Sequence, residues 1–493
     1  MEPTPYDEIP YPSSAHVRTD PSKLAAVIKT MGYEPPPPLT AKILDLGCGD
    51  GLNALTLASI MPESFVVGVD LSSVQVAKGE ALRKAAGIEN ARIEVGDVFT
   101  MPLDGETYDY ILIHGVYSWV PQVVALQMLK LVAARLKPGG ICYVSYDGHT
   151  LGPFKTALNR LLRRATDAYD DPQQKLAIAR HILATISDNE APDSMTKQFT
   201  AFEAKVYIEA ADNFVIHDIL AEYHRSLPAL EFEAECNTAG LTMLGEGGMN
   251  FVFDHDLTED ARALLSKLGS TASLRAEMLD HFRGRMFRAT LVVRQDAPPK
   301  VREGELPLDE FWYSCASIKR IIDPEEGLPF STEYTARGEA RLRTDDASTV
   351  AIIEALRAAW PRELNVHEIA EASGTTREVV HTTMPYLLAC ELVSAYATPQ
   401  QAAQAVPEKP VVSSLVRALA ARGDEAIPSQ RIVTARITDD ASRYFLTQLD
   451  GTKSAEDMMK LMAEKVGEPY VPGQDERARG AFQHLWSLNL FAA

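Results

Sequence analysis

The residues best suited to chemistry open with Asp45-Leu46-Gly47-Cys48-Gly49-Asp50-Gly51, set between a short apolar run and a helical stretch. Glycines let a backbone turn tightly and approach a ligand with no Cβ in the way. The helix that follows turns unpaired N–H groups and the positive end of its dipole toward the same place. A dinucleotide fingerprint, G-x-G-x-x-G, requires a glycine at position 52. That residue is Leu52, and the third glycine is Gly51. A G-x-G-x-G spacing led by a carboxylate suits a nucleoside-type cofactor without a pyrophosphate. Asp70, Asp97 and His114-Gly115 stand at the ends of later apolar runs, where open α/β sheets bind ligands.

The elements that must position these residues alternate. Strands are expected over residues 42–46, 65–70, 91–95, 108–113 and 141–145, with helices over 54–60, 72–86 and 122–136. Such alternation argues for a parallel α/β sheet. Lys137-Pro138-Gly139-Gly140 stops the last of these helices. Asp20 caps an earlier one, Pro21 is its first residue, and Pro35–Pro38 is a stiff extended link. Residues 152–230 read as helical without a strand. Residues 241–244 and 287–294 read as the last two strands, with 256–284 looping between them. Beyond residue 340, helices over 350–360, 366–372 and 377–388 and a β-like run at 392–396 resemble a winged helix, with Pro385 disturbing the third helix.

The glycine motif in this setting resembles the class I S-adenosylmethionine methyltransferases. The resemblance implies that Asp45, Gly47, Cys48 and Gly49 hold the methionine end of the cofactor. It further implies that Asp70 and Leu71 meet the ribose, Asp97 and Val98 the adenine, and that His114-Gly115 lies under the sulfonium. A narrower resemblance is to bacterial protein-lysine methyltransferases with a methyltransferase regulatory domain. It rests on His114-Gly115-Val116-Tyr117-Ser118-Trp119-Val120-Pro121, Tyr143-Val144-Ser145-Tyr146, Tyr6-Asp7-Glu8-Ile9-Pro10-Tyr11, Phe282-Arg283-Gly284-Arg285 and Leu449-Asp450-Gly451-Thr452. After Ser145-Tyr146 the family usually continues Asn-Thr-Leu-Pro-Gly-Trp. This chain continues Asp147-Gly148-His149-Thr150-Leu151-Gly152-Pro153-Phe154, two residues longer and without the tryptophan. The loop is expected to border the methyl-acceptor site.

The expected fold is therefore a Rossmann-like, seven-stranded methyltransferase sheet with a helical insertion, followed by helical, winged-helix-like C-terminal modules. The expected units are 1–40 (lid or substrate segment), 41–150 (cofactor core), 151–298 (regulatory insertion and last strands), 299–404 (winged-helix-like) and 405–493 (helical). A lysine acceptor must lose a proton, against an ordinary pKa of about 10.4. A dry pocket lowers that pKa, and aromatic faces guide the cation in. Tyr117, Trp119 and Tyr146 are expected to line the pocket, with His114 or Asp147 receiving the proton. The competing readings are N- or O-methylation of a small molecule or peptide natural product, and a catalytically silent cofactor-binding protein.

The composition limits partners and setting. Lys plus Arg total 48 against 68 Asp plus Glu, a net charge of −20. Such a chain repels phosphate backbones, so nucleic acid is not expected, and the Asn/Asp-Pro-Pro-aromatic signature of DNA amino-methyltransferases is absent. Five scattered cysteines without a C-x-x-C pair imply neither a metal site nor a disulfide scaffold and suit the cytoplasm. No apolar run approaches the ~20 residues that span a bilayer. The expected partners are a lysine-bearing protein substrate and, as a candidate homodimer, a second copy of the chain.

Overall fold

The computed structural model describes the whole chain except residues 1–6, 8, 10, 12, 13, 190–193, 324, 325 and 337–339. Tyr6, Glu8 and Pro10 of the N-terminal motif thus lie outside the described residues. Helix α1 (Pro21–Thr30) begins as its sequence dictates, with Pro21 first and the Asp20 carboxylate accepting from the Ser22 N–H. The glycine motif then joins β1 (Lys42–Leu46) to α2 (Leu52–Ile60). Next come β2 (Phe65–Asp70), α3 (Ser73–Ala85, capped by the Ser72 hydroxyl), β3 (Ala91–Val95), β4 (Tyr108–Ile113), α4 (Gln122–Arg135) and β5 (Leu136–Gly148). The insertion supplies α5 (Gly152–Thr166), α6 (Pro172–Asp188), α7 (Met195–Glu209), α8 (Asp212–His217), β6 (Ser226–Leu227) and α9 (Ala229–Thr238). Then follow β7 (Leu241–Glu246), α10 (Met249–Val252), α11 (Glu259–Leu268), α12 (Ala272–Arg283) and β8 (Phe287–Arg294).

The sheet order is β3-β2-β1-β4-β5-β8-β7, with β6 on β5. Strands β1 to β5 run parallel, and β8 is antiparallel to both β5 and β7. This is the expected seven-stranded sheet plus one strand that the sequence did not announce. Strand β6 has two residues, too few to show alternation, and pairs with Asp147 and Gly148. Strand β5 is much longer than expected. Lys137–Gly140 ends α4 but is then absorbed into the strand, at the cost of a register slip between Tyr108 and Tyr110. The 256–284 segment is not a loop: it carries α11 and α12.

Alternation sorts the sheet into two faces. Ile43, Tyr110, Leu112, Tyr143 and Leu291 pack on one face with α1, α2 and α3; Leu44, Ile111, Val144, Tyr146 and Val292 pack on the other with α4 and α9. The insertion helices bury their own cluster around Leu162, Leu183 and Val215.

The chain continues with β9 (Trp312–Ser314), β10 (Ser317–Ile321), β11 (Thr332–Ala336), β12 (Arg341–Arg343), α13 (Ala347–Ala359), α14 (Val366–Ser373), α15 (Arg377–Ala389) and β13 (Ser394–Tyr396). Pro385 sits buried inside α15 without ending it. These residues enclose a separate core around Phe311, Ile352, Leu356 and Leu387. The last unit holds α16 (Ser414–Arg422), β14 (Ala426–Pro428), β15 (Thr434–Arg436), α17 (Asp440–Thr447), α18 (Ala455–Val466) and α19 (Asp475–Ser487). Its Leu415, Val416 and Leu419 join the core on the α2–α3 side of the sheet.

Candidate active site

The glycine loop is held from below by the end of β2. The Gly47 and Cys48 N–H groups donate to the Val69 carbonyl at 2.8 and 3.1 Å. Gly47 has φ +80°, and a Cβ there would stand 2.5 Å from Val116, so no other residue fits. The Asp70 carboxylate ties three elements together: it accepts from Gly49 N–H at 2.8 Å and from Ser72 N–H at 2.9 Å, and Ser72 Oγ donates to Asp7 at 2.7 Å. Burial raises the Asp70 pKa despite these donors. Asp45 is 3% exposed and accepts from Asn53 Nδ2 at 2.9 Å. Burial, with the Asp70 charge adding to it, pushes the Asp45 pKa up to about 6, against the Asn53 hydrogen bond. Asn53 Oδ1 in turn accepts from the His16 N–H and from Thr19, which anchors the N-terminal segment to the loop.

These residues fit S-adenosylmethionine. Asp70 stands at the end of β2, where a ribose would meet it. Leu71, Val95 and Phe99 present apolar surface that is 44%, 40% and 52% exposed, large enough for a nucleobase to cover. Asp97, beside the half-buried Val98, accepts from the Phe99 N–H at 2.9 Å. Gly115 is exposed, and a Cβ added there would meet nothing within 4 Å.

On the acceptor side the expected residues separate into three places. His114, at the end of β4, bonds through Nδ1 to Tyr143 Oη at 3.1 Å. It forms an aromatic group with His16 (centroids 3.9 Å), Tyr143 (5.8 Å) and Phe287 (5.9 Å). Burial drives the His114 pKa well down, with His16 and Arg18 adding to it, and brings that of His16 to about 4, so both rings are neutral at pH 7.

Tyr146 is not with them. Alternation along β5 turns it to the opposite face, where it is 1% exposed among Tyr117, Phe232 and Arg288. Tyr117 is also buried there, its hydroxyl bonded to Glu235 at 2.5 Å.

The third place holds Trp119 and Asp147. The Trp119 ring lies 4.7 Å from the His224 ring and takes the Lys155 ammonium on its face at 4.7 Å. Lys155 Nζ also contacts Asp147 at 3.2 Å and Asp218 at 3.0 Å. His224 Nε2 is 2.8 Å from Asp147 Oδ2, and its Nδ1 is 2.9 Å from Thr156 Oγ1. Burial opposes ionisation of Asp147, but the His224 hydrogen bond and the Lys155 ammonium hold its pKa below the usual range. The first and third places adjoin. Asp147 is the cross-strand partner of Phe287, and Ser118 Oγ accepts from the Asp147 N–H. The N-terminal segment links both to the cofactor side: beyond Asp7 it reaches His217, where the imidazole bonds the Ile9 carbonyl, beside Asp218.

His16, Phe287, Lys155, Asp218 and His224 were not among the expected site residues. Phe287 lay within the C-terminal strand, and its place opposite Asp147 needed only the sheet order. The others carry no local signal, since His224 reaches Asp147 across 77 residues.

A parallel sheet in this order, closed by an antiparallel strand and carrying a G-x-G-x-G loop after β1, defines a Rossmann-like methyltransferase. Residues 43–140 match a family described as "Methyltransferase domain", 211–294 "Predicted methyltransferase regulatory domain", and 408–478 "PKMT, C-terminal winged helix domain". The winged-helix match falls on the last unit, whereas the sequence pattern suggested that name for 299–404. An uncharacterized protein, RP028, of Rickettsia prowazekii is 34% identical over 218 residues, covering 44% of this chain and 87% of the relative. Another from that organism, RP789, is 26% identical over 293 residues, covering 59% of this chain and 53% of the relative. The fold is shared with the solved structure of PKMT2 from Rickettsia typhi in complex with AdoHcy. Its TM-score is 0.83 at 24% identity, over 98% of this chain and 100% of that one. The chain belongs to the family of S-adenosylmethionine-dependent methyltransferases that carry this regulatory domain and PKMT-type winged helix. No helix among the described residues is long and apolar enough to cross a membrane.

Proposed function

We propose that this methyltransferase transfers methyl groups to lysine side chains of a protein, in the cytoplasm, where its five free thiols stay reduced. The observation that carries the reading is the ammonium of Lys155, seated on Trp119 between two carboxylates: this surface already holds a lysine side chain. The PKMT label of the matched winged-helix family and of the structural neighbour supports it.

In this reading Asp45, Gly47, Cys48, Gly49, Asp70, Leu71, Asp97, Val98, His114 and Gly115 hold the cofactor, which when bound supplies an electrophilic methyl group. Methyl transfer is an in-line displacement, so positioning supplies most of the catalysis. Trp119 and Asp147 guide the acceptor ammonium toward the box of His16, His114, Tyr143 and Phe287. That box excludes water and favours the neutral amine. The amine sheds its proton to solvent as it enters, and His114, kept neutral by burial and bonded to Tyr143, meets it as an uncharged hydrogen-bond partner. Tyr146 acts from the core as support for β5 and takes no part in transfer.

The test is incubation with labelled S-adenosylmethionine and lysate protein of the source cell, with the label located by mass spectrometry. Label on lysine Nζ is expected. Label confined to a small metabolite, or cofactor binding with no product, overturns the reading.

A further inference from the structure

Lys155 occupies an unusual place for a lysine. It stands in the first turn of α5, directly after the loop that departs from the family pattern, and its side chain is only 18% exposed. Its ammonium lies on the Trp119 ring and contacts Asp147 and Asp218, each 11% exposed. Each wall of this pocket is fixed independently of Lys155. Asp147 is held by His224 and, through its N–H, by Ser118; Asp218 accepts from Tyr207 Oη; Trp119 packs at a tilt against His224. Glu203, 8% exposed, feels the same charges, and burial raises its pKa. Three carboxylates thus surround one lysine. The walls of the pocket are held by contacts other than Lys155, and their carboxylates call for a cation in its place, which suits a cation site rather than a simple ion pair.

We propose that Lys155 is an internal pseudo-acceptor: it fills the subsite that receives the ammonium of the acceptor lysine, and the acceptor enters by displacing it. The inference rests on the lysine reading above. The exchange replaces one ammonium by another, so the carboxylates never stand uncompensated, and the large penalty of an unpaired buried charge is avoided. The four-carbon stem lets Lys155 swing into solvent without any movement of α5. Burial opposes the charged form of Lys155, but Asp218 and Asp147 outweigh it and hold the ammonium protonated. A resident protonated amine is no nucleophile, so Lys155 blocks the subsite without being consumed, whereas an acceptor lysine passes on from this subsite to the His114 box, where it loses its proton. As a tethered competitor Lys155 acts at an effective concentration of roughly millimolar order. An acceptor with binding contacts elsewhere overcomes that, whereas a stray lysine does not, so the device favours the cognate protein.

The experiment uses the full-length protein and two probes: a synthetic peptide with a single lysine, and n-butylammonium chloride. With the peptide, Lys155→Gln is expected to lower KM at least fivefold, with the change in KM rather than in kcat. Lys155→Arg keeps a cation on Trp119, so its KM stays at or above wild type. With n-butylammonium, Lys155→Gln is expected to show a saturable change in Trp119 fluorescence, identified by its loss in Lys155→Gln/Trp119→Phe, at concentrations that leave wild type unchanged. Circular dichroism checks that the variants fold. A folded Lys155→Gln with unchanged KM, or with no butylammonium response, overturns the proposal. If no lysine is methylated by any form, the function reading fails, and the butylammonium titration still decides the pocket.

Discussion

At the scale of residues, two carboxylates at the strand ends have different tasks. Asp70 ties the glycine loop to the start of α3, and in the proposed cofactor site its removal is expected to act on binding. Asp70→Asn keeps an acceptor toward Gly49 or Ser72 but loses the charge-assisted bonds to a ribose. Its affinity for S-adenosylmethionine should fall by about 1.5–3 kcal/mol by calorimetry. An unchanged affinity would remove Asp70 from the site. Asp45 is a carboxylate under strain: its pKa rises from an ordinary 3.8 to about 6 in the fold. A raised acid binds more protons folded than unfolded. Its contribution to stability is therefore fully present below about pH 4 and is lost as pH rises through about 6. Asp45→Asn, which can still accept from Asn53, should stabilise the cofactor-free protein at pH 8 by roughly 1–3 kcal/mol and much less at pH 4.5. Denaturant melts at the two pH values measure the difference; equal effects at both would refute the assignment.

At the scale of elements, α3 shows why the loop is where it is. Gly79 lies inside this helix, where an alanine usually adds up to about 1 kcal/mol of stability. Here a Cβ would stand 2.3 Å from the Asp50 carbonyl, on backbone that cannot swing aside. Gly79→Ala should therefore destabilise by about 1–3 kcal/mol and push the glycine loop out of shape, weakening cofactor binding with it. A gain in melting temperature would contradict this packing. Strand β5 shows a second dependence on context. Tyr146 was expected in the acceptor pocket because it ends a motif, but the pleat turns Tyr143 and Ser145 toward His114 and Tyr146 away. Tyr146→Phe should leave methyl transfer within a few-fold of wild type, since it loses only a 3.5 Å contact with Thr290. Tyr146→Ala should cost about 3–5 kcal/mol of stability. The placement of the proposed cofactor residues was legible because they lie within or just after consecutive strands, where motif and strand end coincide. The proposed acceptor side was not: strand parity decides which β5 side chains share a face with His114, and the insertion brings His224 to Asp147 and Asp218 to Lys155 from far along the chain. Strand β6 and helices α11 and α12 escaped for a related reason, since their places are set by what they pack against.

At the scale of the molecule, the expected unit boundary between residues 298 and 299, within Ala297-Pro298-Pro299-Lys300, would separate the cofactor core from the C-terminal units. The packing argues otherwise. Leu415, Val416 and Leu419 are 0–1% exposed in one core with Leu55, Leu57 and Val76 of α2 and α3. Ser22 of α1 meets Thr398 at 2.7 Å. Arg431 of the last unit pairs with Glu363 of the middle unit at 2.5 Å and approaches Asp20, the cap of α1, at 3.9 Å. Asp20 keeps Lys23 as a second cation nearby, so loss of the guanidinium falls mainly on Glu363, which is 4% exposed. Removing one partner of a buried ion pair typically costs about 3–5 kcal/mol, because the other charge stays buried and unpaired. Arg431→Met should therefore lower stability by about that amount at pH 8. Burial already raises the Glu363 pKa and loss of Arg431 raises it further, so protonation should relieve part of the deficit at pH 5. The same variant should weaken S-adenosylmethionine binding only near its melting temperature, because Arg431 contacts Glu363, Thr398 and Asp20 rather than the residues proposed to hold the cofactor. Equilibrium denaturation at both pH values, beside calorimetric binding at 15 °C, reads all three effects. A loss below about 1 kcal/mol at pH 8 would mean that the three units are held by their apolar cores alone. Truncation at Ala297 would then be worth attempting as a route to an isolated catalytic domain.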